Sequence, residues 1–185
     1  MRMPLFTTVS VTKLDAARRQ LETAINLYFH EGDQVSIHTL ACAAHEIIET
    51  VNRKSGGKPT LKESWKDNIK PEYVKTFYNR LNSARNFFKH ADRDTDKSIR
   101  FAPFASDIIM LDACWTYRRI TGERLPVLDV FNMWAAITWA RHFVTYPGLD
   151  LTSPEIVHWA SLTRQEFFDM TLPVAHAAIV GTKRA

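Results

Sequence analysis

Residues 71–90 read PEYVKTFYNRLNSARNFFKH. Val74, Phe77, Leu81, Ala84 and Phe88 recur at three- and four-residue spacing, which lays one apolar stripe along a helix and does not alternate as a half-buried strand would. Pro71 suits the first helical position, where its missing amide has no partner to lose. The helix is expected to stop near His90-Ala91, because the run ADRDTDKS that follows has spaced aspartates and no apolar side chain beyond Ala91.

The same punctuation recurs on both sides. Thr12 caps a helix carrying Leu14, Ala17, Leu21, Ala24 and Tyr28, with an end near His30-Glu31-Gly32. A second helix starts after Asp33 and runs to about Asn52. RKSGGKPT is a loop, and a short amphipathic turn with Leu61, Trp65 and Ile69 follows it. Downstream, helices are expected from about Ser106 to Ile120 with Gly122 as terminator, from Pro126 to before Tyr146-Pro147-Gly148, and from Ser153-Pro154-Glu155 onward. Pro173 to Val180 reads as a last turn or tail. The fold class expected is all-α: a single-domain antiparallel helical bundle of about six helices, since short loops make sequential helices neighbours.

A chain of 185 residues can withdraw roughly 70% of its extended-chain surface from water without staples. Hydrophobic residues at 45% and charged residues at 24% exclude disordered and collagen-like readings. No secretory h-region follows Met1, and no stretch approaches the ~20 apolar residues of a membrane span. Cys42 and Cys114 lie in apolar helical patterns that suit reduced, buried thiols. The expectation is a cytoplasmic protein with no membrane partner.

The net charge of +4 is unevenly placed. Residues 1–52 carry −2, residues 53–100 carry +7 and residues 101–185 carry −1. Within the basic part, Lys58, Lys62, Lys66 and Lys70 recur every fourth residue, one stripe wherever the chain is helical. With Lys89, they form a candidate platform for phosphates, and a solubilising face offset by Glu63 and Asp67 is the alternative.

Arg85-Asn86-Phe87-Phe88-Lys89-His90 resembles the Arg, polar residue, short spacer and His signature of the HEPN superfamily. The resemblance covers roughly residues 12–121, with 122–185 as additional helices. It implies an all-helical bundle, and in many members a metal-independent endoribonuclease of toxin or defence type acting as a homodimer. Arg85, His90 and Asn86 would then be the catalytic residues, RNA or a nucleotide the ligand, and a protein such as an antitoxin a further partner; no cofactor is expected. The chemistry suits the residue types. Attack of a 2′-hydroxyl on phosphorus needs a proton acceptor, a proton donor and positive charge at the phosphorane. Histidine serves either proton role, and the arginine fork matches phosphate oxygens. One His per chain makes a two-fold interface the natural way to assemble acid and base. Five residues along an ideal helix rotate side chains about 140° apart, so Arg85 and His90 converge only if the last turn unwinds or two chains approach one groove.

Two alternatives stand beside this. Arg85 can pair with an acid on a neighbouring helix and His90 can serve as a polar helix end, leaving a non-catalytic bundle that binds RNA, nucleotide or protein through its basic segment. The second helix also carries His38, Cys42, His45 and Glu49 as two i, i+4 pairs, weak candidates for a metal. Glu155 and His158 form one i, i+3 pair with no second ExxH. Phosphate loops of the GxxxxGK[ST] type, GxSxG elbows and CxxC pairs do not occur.

Overall fold

The computed structural model describes residues 8–64, 70–90, 92, 95–140 and 150–182. Among them are eight helices and no strand: α1 (Lys13–Phe29), α2 (Gln34–Lys54), α3 (Leu61–Ser64), α4 (Pro71–Lys89), α5 (Phe104–Thr121), α6 (Pro126–Ala140), α7 (Pro154–Ser161) and α8 (Arg164–Thr182). The protein is an all-α helical bundle. No helix of the described residues is long and apolar enough to cross a membrane.

Local chemistry explains the boundaries. Thr12 and Asp15 form a capping box on α1: Thr12 Oγ1 accepts from the Asp15 amide at 3.1 Å and Asp15 Oδ2 accepts from the Thr12 amide at 3.2 Å. Asp33 caps α2 by accepting from the Ser36 amide at 2.7 Å. Gly122 ends α5 at φ 71°, a left-handed position where any Cβ would be strained.

α1 and α2 pack as a hairpin, and α5 lies against α2. α5 buries residues nearly all round, from Ser106 and Ile109 to Thr116 and Tyr117. It is therefore a central helix rather than an amphipathic surface one. α6 and α8 close the other side over an aromatic cluster. Phe29 of α1 stacks on Phe168 of α8 at 4.7 Å between ring centroids and meets Phe131 of α6 edge-on. One hydrophobic cluster runs through α1, α2, α5, α6 and α8, so the helices after Gly122 belong to the core.

The C-terminal region departs from the sequence expectation. Instead of a tail, Pro173 sits inside the 19-residue helix α8. The chain breaks at Leu162-Thr163, where Thr163 Oγ1 accepts from the Glu166 amide and Glu166 Oε2 accepts from the Thr163 amide at 2.9 Å. The count rises from about six to eight because α7 and α8 are separate and the α3 turn is helical. An interior proline costs about 3 kcal/mol, and the burial of Phe167, Phe168 and Ile179 on either side holds α8 continuous across it. The expected end of α6 near Tyr146 lies outside the described residues.

Candidate functional site at the end of helix α4

α4 is an outer helix that packs on α2. Ala84 is buried, while Leu81, Asn82, Arg85, Phe87 and Phe88 are half-buried. The helix stops before His90, whose backbone is extended and whose amide donates to Asn86 O at 3.1 Å. The motif is thereby split between two cavities.

On one side Ser83, Asn86, Phe87 and His90 line an open cleft of about 390 Å³, closed across by Lys97, Ser98 and Ile99. Asn86 and His90 are one turn apart and share this face. On the other side Arg85 lines a narrow crevice with Cys42, His45, Lys62, Leu81, Asn82 and Ile109. The end of the helix does not bring Arg85 and His90 together within one chain, in keeping with the angle between them on a helix.

Behind the crevice lies a buried polar network. His45 Nε2 donates to Asp112 Oδ2 at 2.9 Å. Asp112 also accepts from the amides of Leu61 at 2.8 Å and Lys62 at 3.1 Å. Burial pushes the Asp112 carboxyl up, but the hydrogen bond and charge of His45 and the two amides outweigh it and hold the group below its ordinary range. Lys62 Nζ reaches Glu49 at 3.2 Å, and Tyr78 donates to the Lys62 carbonyl at 2.7 Å.

His38 is fully buried. Its Nδ1 lies 3.0 Å from Ser106 Oγ, its Nε2 lies 3.4 Å from Cys42 Sγ, and Phe88 and Phe101 pack on its ring. Burial first, and then the Arg85 charge, pulls its pKa down to about 4. Burial pushes the Cys42 thiol up to about 12, so it is not a thiolate at neutral pH.

These contacts place the remaining candidates. Lys62 is half-buried and paired with Glu49 rather than displayed in an open stripe. Lys58 and Lys70 are exposed, and Lys66 lies outside the described residues. Lys89 is exposed and 3.7 Å from Glu46, a solvated pair of small energetic weight. Of the weak metal candidates, His45 and Glu49 are engaged by Asp112 and Lys62, while His38 and Cys42 face each other under Phe88 and Phe101. Among the described residues, no three His, Cys, Asp or Glu side chains gather round one point as a metal would need.

Sequence reasoning missed Asp112, Lys97 and Ser98. Asp112 had a signal: it is a lone acid in the apolar run IIMLDACW. Lys97 and Ser98 had none, because the loop 91–98 reads only as solvated. Comparison of the chain with family models, curated proteins and solved structures finds no match.

Proposed function

We propose that the chain is a HEPN-like, metal-independent endoribonuclease of toxin or defence type, acting as a homodimer, with the α4 cleft receiving an RNA phosphate. The observation that carries this is that Asn86 and His90, two motif positions one helical turn apart, open together with Lys97 on a cleft of about 390 Å³, within the size range of small-ligand sites. At a phosphate seated there, the 2′-oxygen attacks phosphorus as its proton passes to one imidazole. The P–O5′ bond breaks as the departing oxygen takes a proton from a second imidazole, and a 2′,3′-cyclic phosphate remains. His90 of each chain supplies one of these groups, Asn86 orients a phosphate oxygen, and Lys97 adds positive charge. Arg85 acts from the inner face of α4 as a positioning residue.

The test is cleavage of a single-stranded RNA by chelator-treated protein. Wild type is expected to leave 2′,3′-cyclic ends, and His90→Ala to slow cleavage by about a hundredfold or more. Equal rates for the two would remove catalysis. One observation favours a second reading, a non-catalytic bundle that binds RNA through its basic segment: Arg85 and His90 face different cavities. In that case no cleavage occurs, and Lys70→Glu with Lys97→Glu weakens RNA binding while His90→Ala leaves it unchanged.

A further inference from the structure

Phe87 lines the α4 cleft but takes no part in the proton transfers assigned to His90. It stands beside the core stripe of α4 rather than in it. Its neighbour Phe88 packs on His38 at 5.8 Å and on Phe101 at 5.5 Å between ring centroids. Phe87 is half-buried, meets Phe88 edge-on at 6.1 Å, and among the described residues has no ring stacked on it. Across the cleft stands Ile99, also half-buried. Phe101, two residues further along the chain, is seated on Phe88 and lies 4.7 Å from the His38 ring, so the facing wall is anchored to the bundle close to the cleft.

Phe87 and His90 are three residues apart, and the His90 amide still closes the last helical bond to Asn86 O at 3.1 Å. Ring and imidazole therefore share one face, about 4.5 Å apart along the helix axis. Lys97 lies across from them, and no acid is among the described residues that line the cleft. An aromatic ring at the cleft surface beside a cation and an imidazole suits a flat ring tied to an anion. The Asn86 amide and the Ser83 and Ser98 hydroxyls suit a ribose joining the two. We infer that Phe87 is a specificity-determining residue: the base next to the phosphate at His90 and Lys97 leaves its stack and lies between the Phe87 ring and Ile99. The cleft then admits unpaired RNA and rejects a duplex, whose bases stay stacked on one another. This assignment rests on the cleft receiving an RNA phosphate and does not depend on cleavage. Free phosphate leaves the ring unmet, and an apolar ligand leaves Lys97 and Asn86 unmet. A phosphorylated tyrosine offers ring and phosphate but no ribose hydroxyls.

Isothermal titration of the chelator-treated full chain with adenosine 3′-phosphate, adenosine 5′-phosphate, ribose 5-phosphate and phenyl phosphate tests the assignment. At least one adenosine phosphate is expected to bind one molecule per chain, with ribose 5-phosphate and phenyl phosphate about fivefold or more weaker. Phe87→Leu keeps an apolar side chain against Phe88 and should lower the adenosine phosphate to the affinity of ribose 5-phosphate, leaving ribose 5-phosphate itself unchanged. Phe87→Trp should keep the preference for the base, because it keeps a stacking face. No binding of either adenosine phosphate, equal binding of ribose 5-phosphate or phenyl phosphate, or a Phe87→Leu variant in which all ligands weaken alike or none does would overturn the assignment. RNA cleavage without a base preference removes the Phe87 role alone, and a base preference without cleavage removes catalysis alone.

Discussion

Arg85 and His38 share the α2–α4 contact, and the charge of the first acts on the titration of the second. Burial is the larger cause of the low His38 pKa of about 4, and the guanidinium adds to it. Replacing Arg85 with Gln should therefore raise the His38 midpoint while leaving it below the ordinary 6.5, as read from imidazole NMR shifts against pH. An unchanged midpoint would take the Arg85 charge out of the account. The sign for stability follows. Native His38 stays neutral while the unfolded chain takes up a proton near 6.5, so its contribution is full above that pH and declines as pH falls toward 4. Part of this is legible in the sequence: Cys42, one turn from His38 on α2, lies in an apolar helical pattern that suits a buried thiol. The partners were not legible, since Ser106 and Asp112 lie 68 and 67 residues away.

At the scale of the element, α8 shows how a short-range signal can be overridden by a stronger-looking one. Pro173 to Val180 reads as a last turn or tail, while the Thr163-Arg164-Gln165-Glu166 box, a helix-start pattern, goes unused in that reading. The box decides where α8 begins, and the burial of Phe167 and Phe168 immediately after it anchors the helix. Thr163→Ala should cost about 1 kcal/mol in urea unfolding, with α8 still formed. A cost near zero would mean that the aromatic anchor alone sets the boundary. α4 shows the opposite case, in which sequence and structure agree on both ends. Pro71 opens it and Lys89 is its last helical residue. Yet its periodicity could not say that Asn86 and His90 look onto a cleft while Arg85 looks into α2, because that depends on which side of α4 is seated.

Across the whole molecule, Tyr28, Asp107, Trp134 and Arg164 tie four helices together. Tyr28 donates to Asp107 Oδ2 at 3.2 Å, Trp134 Nε1 donates to the Tyr28 oxygen at 3.2 Å, and Arg164 lies 4.2 Å above the Tyr28 ring. Burial lifts the Asp107 pKa from 3.8 to about 6, against the opposing charge of Arg164. A raised carboxyl pKa contributes stability that is full below 3.8 and is lost as pH rises through about 6. His38 works in the opposite direction over nearly the same window, from about 4 to 6.5. The two trends offset each other in the wild type. Asp107→Asn removes one of them, so its melting temperature should climb from pH 4 to 6.5 more steeply than that of wild type. Parallel profiles for the two proteins would show that Asp107 does not titrate in this range.

By itself the sequence determined the all-α class, the caps at Thr12 and Asp33, the left-handed stop at Gly122 and the start of α4. Each of these depends on interactions within about four residues, which periodicity and capping chemistry expose directly. The tertiary structure alone decided that the motif divides between a cleft and a crevice, that Lys62 turns to Glu49, and that Asp112 joins α5 to the α3 turn. Asp112 and the Leu61 amide are 51 residues apart in the chain. Contacts over that separation are set by how helix faces pack, which no local pattern records.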